Sequence, residues 1–313
     1  MSGPVAAADA PPTEPDASHP SAACVEVTDS RIAEVGGVPI RRGLPQRGRR
    51  TVGPWCFEDH MGPTQVTETG GLDIGPHPHI GLHTVTWLLA GEVLHRDSLG
   101  TEQLIRPGQL NLMTAGYGVA HSEEATGTYR GELHGVQLWV AQPELTRNGD
   151  PAFEHHADLP SVEMDNSVAT VIAGVFSGHL SRARTDTPLV AVDGVLHPGA
   201  STWPLRPEFE YGVVALSGSV SLGEQVVAPG QFAYLGVGRQ ELTISATDAA
   251  RLLLIGGEPF DEPIIMWWNY VARSRDEIDT AHQDWLDEHQ RFGRVDSPLL
   301  RMTTADPPWR RRT

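Results

Sequence analysis

The feature that most constrains this chain is that it repeats itself. Thr86-Trp87-Leu88-Leu89-Ala90-Gly91 is echoed by Val213-Val214-Ala215-Leu216-Ser217-Gly218 at an offset of 127 residues, and Pro107-Gly108-Gln109-Leu110 by Pro229-Gly230-Gln231-Phe232 at an offset of 122. A short apolar run closed by Gly and followed by a Pro-Gly turn reads as one β unit, and its recurrence predicts two copies of one barrel. The rest of the pattern agrees. Short β-type runs such as Thr84 to Leu89, Leu133 to Val140, Ala169 to Phe176, Leu189 to Leu196 and Arg251 to Ile255 are divided by turns, for which 33 Gly and 25 Pro supply the residues. The expected class is all-β.

Residues 1–24 are rich in Ala, Pro, Asp and Ser, with too little to bury to offset the entropy of ordering, and read as a disordered tail. Residues 25–145 form the first barrel unit, the polar stretch 146–165 a linker, 166–260 the second unit, and 261–313 an extension. Within that extension Ser274 and Glu277 have the spacing of a helix N-terminal cap, and Ile278, His282, Trp285 and Leu286 follow at helical period. This predicts one amphipathic helix from about Arg275 to Gln290, then a loose tail at Pro307-Pro308-Trp309-Arg310.

Charge narrows the partners. The net charge is −17 and every one of the 23 basic residues is Arg, which argues against direct nucleic-acid binding, where affinity comes from neutralising phosphates. Two cysteines, Cys24 and Cys56, make neither a disulfide framework nor a thiolate metal site. The N-terminal stretch lacks a signal-type apolar segment, and no apolar run approaches the roughly 18 residues that cross a bilayer. A cytoplasmic protein without membrane contact is expected.

One constellation carries chemistry. His77 and His79 form one i, i+2 pair and His121 and Glu123 another, and in strands each pair shares a face and can point into a barrel interior. Three imidazoles and a carboxylate suit iron, manganese, nickel, copper or zinc rather than calcium or magnesium. Four protein ligands on a metal that prefers six leave positions for water, dioxygen or a chelating substrate. Fourteen histidines allow such pairs by chance, but the second copy supplies a control. At the two offsets His77 and His79 align with Pro204 and Arg206, and His121 and Glu123 with Thr243 and Ser245, so one half alone is expected to hold metal.

With these residues in view, the sequence resembles the pirin family of bicupins. The likeness rests on His77-Pro78-His79-Ile80-Gly81-Leu82, on His95-Arg96-Asp97-Ser98, and on Met113-Thr114-Ala115-Gly116-Tyr117-Gly118-Val119-Ala120-His121-Ser122-Glu123. It extends to Val52-Gly53-Pro54-Trp55-Cys56-Phe57-Glu58-Asp59-His60 and Gly257-Glu258-Pro259-Phe260, covering about Val25 to Phe292. The resemblance implies two stacked jelly-roll-type barrels of the cupin superfamily with a short C-terminal helix, and a monomer. It also implies non-haem Fe(II), with Mn, Ni, Cu, Co or Zn as alternatives, held by His77, His79, His121 and Glu123. The implied role is quercetin 2,3-dioxygenase activity on a small aromatic substrate with dioxygen, Glu123 doubling as the base. The alternative is an iron-dependent redox-sensing regulator with a protein partner; a plain metabolite-binding cupin is a minor third reading. His83, at i+4 from His79, is expected on the ligand face or in a structural role, His60, His95 and His134 are read as hydrogen-bonded histidines, and Trp267-Trp268 with Tyr270 as the seal between barrels.

Overall fold

The computed structural model describes residues 24–67 and 71–310, so most of the expected N-terminal tail, residues 1–23, lies outside the described residues. Every strand pairing is antiparallel apart from one isolated bridge, Ile80 to Tyr270. In the first barrel a seven-stranded sheet, running from Ala152–His156 through Leu110–Thr114, Leu82–Ala90, Gly131–Ala141, Trp55–Val66 and Val38–Leu44 to Arg31–Val35, accompanies a four-stranded one. The small sheet is Ile74–His79, Val119–Glu124, Val93–Asp97 and Glu102–Ile105. The second barrel repeats the plan with an eight-stranded sheet and the small sheet Gly199–Pro204, Glu241–Ala246, Val220–Leu222, Gln225–Val227. This is the bicupin fold, all-β with one α-helix among the described residues.

The barrels meet through their large sheets. Trp55, Val85, Trp87, Leu112 and Leu138 of the first form one buried cluster with Ile172, Ala191, Val214, Phe232 and Leu253 of the second. Apolar residues on the outer faces of both sheets make that join the second largest hydrophobic cluster, which fixes one barrel on the other.

Several expectations change in detail. Strand Val25–Asp29 leaves the first unit and pairs with Gln231–Leu235 of the second barrel's sheet, while Ala152–His156, inside the expected linker, pairs with Leu110–Thr114 of the first. The first segment therefore crosses to the other barrel, while the second extends the sheet of the barrel that precedes it. Trp267, Trp268 and Tyr270 do not seal the join. They pack with Ile80, Ala120, Ile278, Ala281 and Trp285 against the outer side of the first barrel's small sheet. The tail near Trp309 is anchored: its indole N–H donates to Asp279 at 3.0 Å and its ring lies against Trp267.

In the second copy the inward positions belong to other residues than the aligned ones. Pro204, Arg206 and Thr243 are exposed and Ser245 half-buried, whereas Trp203 and Leu242, paired in register, face the interior with Ile244, itself opposite Ser201. A one-residue slip between copies turns every side chain to the other face. The inward positions of the second small sheet are thus apolar apart from Ser201, and the second barrel is filled by its own core.

The helix spans Arg275–Leu286, with the Ser274 hydroxyl accepting from the Glu277 N–H at 3.2 Å. The Glu277 carboxylate accepts from the Arg273 N–H at 3.1 Å rather than from Ser274, so the reciprocal bond closes one residue early. Asp287 ends the helix, and a separate turn of 3₁₀ helix follows at Gln290–Phe292. Among the described residues no helix is long and apolar enough to cross a membrane.

Candidate metal centre

Local sequence explains how the ligand strand is held. Ile74–His79 lies at the edge of the small sheet, the position where Pro76 and Pro78, lacking N–H donors, are tolerated. Their fixed φ angles stiffen the backbone between the two histidines. The Pro76 carbonyl accepts from the Met302 N–H at 2.8 Å, so the C-terminal segment straps this edge. Gly75 is required there, because a Cβ would lie 2.0 Å from the Leu300 carbonyl oxygen. Across the sheet His77 pairs with His121 and His79 with Val119, and a bulge between His121 and Glu123 re-aims the last ligand-type residue.

The imidazoles converge. Ligand-type nitrogens of His77, His79 and His121 all lie within 4.8 Å of one another, and all three residues are buried. Hydrogen bonding assigns the tautomers. His77 Nδ1–H donates to the Gly75 carbonyl at 2.9 Å and His79 Nδ1–H to the Asn269 carbonyl at 3.0 Å. A carbonyl only accepts, so each Nδ1 carries the proton and each Nε2 keeps a lone pair. His121 Nε2 stands 3.0 Å from His79 Nε2. Burial, opposed by the Gly75 carbonyl, pushes His77 down to about 4. Burial, then the nearby charge of His77, holds His79 and His121 well below the usual histidine value. The three are neutral nitrogen bases at pH 7, the state a transition metal binds.

Glu123 stands apart from this trio on the wall of the same cavity, with Thr86 Oγ1 at 3.3 Å from its Oε1. Burial raises its carboxyl to about 7, tempered by that hydroxyl. The cavity has a volume of about 520 Å³ and is walled by Phe57, Met61, Trp139, Trp268 and Met302. Phe57 and Trp139 stack with centroids 4.1 Å apart, and Trp139 meets the His79 ring edge-on at 5.2 Å. Near the opening Arg42 is held by Asp59 through bonds of 2.6 and 2.7 Å and lies over Phe57. A smaller cavity of about 260 Å³ beside the helix contains no histidine.

His83 does not face the metal trio. Gly81, with φ of +65°, ends the ligand strand, and His83 on the next strand reaches Thr114 at 2.9 Å and Asp186 of the second unit at 3.1 Å. Its role is to tie the two units together. His60 and His134 lie with their Nε2 atoms 2.7 Å apart, outside the trio. His95, read from sequence as an ordinary core histidine, touches His121 Nδ1 at 3.3 Å. The overlooked signal was His95-Arg96-Asp97, an i, i+2 pair of its own on the strand beside His121.

Comparison with known proteins agrees with the fold. The pirin family model matches residues 37–140 and the pirin C-terminal cupin domain model residues 191–293. A Pseudomonas aeruginosa protein named "Putative quercetin 2,3-dioxygenase PA1205" is 46% identical over 285 residues, covering 90% of each chain. A pirin-like protein of Caulobacter vibrioides is 38% identical over 282 residues, 88% of this chain and 95% of its own. A crystal structure of quercetin 2,3-dioxygenase from Acinetobacter baumannii superposes with a TM-score of 0.88 at 44% identity, covering 91% of this chain and 96% of that one. The double barrel with a histidine-lined cavity is that of a bicupin, and this chain belongs to the pirin family.

Proposed function

We propose that the protein is a metal-dependent dioxygenase acting on quercetin or a similar flavonol. The observation that carries this reading is the convergence of three buried imidazoles in an aromatic-walled cavity of about 520 Å³. Supporting it are the quercetin 2,3-dioxygenase names borne by the Pseudomonas and Acinetobacter relatives. His77, His79 and His121 would hold the metal, with Glu123 as the fourth ligand, and Fe(II) is the metal of first choice. When bound, the metal supplies Lewis acidity toward the substrate's hydroxyl and carbonyl oxygens and a place for dioxygen.

The chain's own residues do the rest. The Phe57–Trp139 stack offers a flat apolar wall for a planar ring system. Glu123, with its carboxyl raised to about 7, is matched to take the substrate hydroxyl proton at neutral pH, and the deprotonated ring is the form that dioxygen attacks. Trp268 and Met302 add apolar surface to the cavity wall. A cavity of about 520 Å³ with aromatic walls, large enough for a small aromatic molecule, supports catalysis over the redox-sensing role, which needs only a centre beside a docking surface. The test is oxygen uptake with quercetin by the Fe(II)-loaded protein, beside Glu123→Ala and a metal-free control. Uptake lost in both controls is expected; equal uptake in all three rejects the proposal.

A further inference from the structure

We infer that Asp97 and His95 are positioning residues that fix the proton of His121 on Nδ1 and so keep its Nε2 free to bind metal. The chain of donors runs one way. Asp97 Oδ1 accepts from the N–H groups of Leu99 at 2.9 Å and Thr101 at 3.0 Å, which pins the carboxylate in its turn. Its other oxygen faces His95 Nε2 at 3.2 Å. A carboxylate only accepts, so His95 carries its proton on Nε2 and presents a bare Nδ1. That bare nitrogen lies 3.3 Å from His121 Nδ1 and, in this relay, accepts its proton, against the competing bare Nε2 of His79 at 3.0 Å. His121 is left with its lone pair on Nε2, beside His79 Nε2.

The arrangement is rigid as well as directional. Asp97 is paired in register with His121, and His95 with Glu123, so all four side chains share the inward face. The His95 ring is stacked on Phe153 at 4.5 Å, from the strand that the expected linker contributes. The Asp97 side chain is fully buried. His77 and His79 have backbone carbonyls for the same purpose; His121 alone depends on side chains, so it alone can be reset by substitution.

The substitution that separates positioning from packing is Asp97→Asn, which keeps shape and volume. The turn N–H groups still need an acceptor, so the amide oxygen stays with Leu99 and Thr101 and the NH₂ group meets His95. His95 must then accept on Nε2 and donate from Nδ1, which drives the His121 proton to Nε2 and blocks the ligand atom. Zn(II) affinity by chelator competition is expected to fall about 10- to 100-fold, the usual cost of losing such a partner. Nitrogen-resolved NMR of the metal-free protein should show the His121 proton moved from Nδ1 to Nε2.

His95→Phe is the second variant. It keeps the stack on Phe153 but leaves His121 Nδ1 unpartnered, so the tautomer becomes mixed and the loss of affinity is smaller than in Asp97→Asn. A purely structural role gives the opposite order, with the isosteric Asp97→Asn near wild type. Wild-type Zn(II) affinity and an unchanged His121 tautomer in both variants would overturn the inference. The relay rests on the metal reading of the three histidines. If wild-type protein binds no Zn(II), that reading falls; if wild type binds and the variants match it, only the relay falls.

Discussion

The Nε2 atoms of His79 and His121 lie 3.0 Å apart, and His79 has already given its only ring proton to the Asn269 carbonyl. With His121 protonated on Nδ1, two lone pairs face each other in a buried site, a repulsion that a cation bound to both would relieve. Metal is therefore expected to stabilise the fold. At a free concentration 100 times its Kd the gain is about 2.7 kcal/mol, several degrees in Tm. His79→Ala should abolish the metal-dependent shift, read by thermal unfolding with and without Zn(II); a shift of wild-type size in that variant would contradict the assignment.

Proton competition tells whether Glu123 is a ligand. His77 is held near 4, and His79 and His121 well below the usual value, so none is expected to add a proton step near neutral pH. Glu123 is raised to about 7, and a protonated carboxyl binds metal poorly. Affinity should fall by one proton's dependence as pH drops through about 7, and Glu123→Gln should bind about tenfold more weakly with that step gone. Zn(II) titrations from pH 5 to 8 measure it; a wild-type profile flat across pH 7 removes Glu123 from the ligand set.

Glu58 makes a prediction about stability. Burial, then the neighbouring Asp59 charge, lifts its carboxyl to about 8; Gly43 N–H donates to Oε2 at 2.9 Å, and Oε1 has no partner. The folded chain keeps the proton while the unfolded chain releases it near the ordinary Glu value of about 4.3. Its contribution is full below that value and is lost as pH rises toward about 8, by a few kcal/mol at most. Denaturant melts should show Glu58→Gln flattening this decline; the same slope in both proteins would refute the cause.

Trp139 should matter for substrate and not for metal. Truncating it to Leu removes the partner of Phe57, an aromatic pair worth about 0.5–1.5 kcal/mol beyond area burial. The expected result is a KM for quercetin about tenfold higher with unchanged metal content. Loss of metal in Trp139→Leu would mean that the ring supports His79 rather than the substrate.

The β class, the duplication and the histidine trio were legible because each is local: an i, i+2 pair or a Pro-Gly turn is complete within a few residues. What the sequence hid is non-local. No pattern in Val25–Asp29 says that its partner is Gln231–Leu235, some two hundred residues on. The inward face of the second small sheet was misassigned because one residue gained or lost in a turn flips Trp203 and Thr202 between core and solvent. His95 looked ordinary in isolation, since its meaning depends on Asp97 beside it and His121 across the ladder. Tyr270 and the tryptophans were placed at the wrong surface because an aromatic cluster announces burial without saying against what.

The most direct measurement is quercetin-dependent oxygen uptake followed while metal-free protein is titrated with Fe(II) under otherwise constant conditions. Uptake should rise in proportion to occupancy and stop at one iron per chain, because only one barrel presents converging histidines among the described residues. Uptake that ignores iron, or that still climbs beyond one equivalent, would contradict a single metal-dependent dioxygenase centre at His77, His79 and His121.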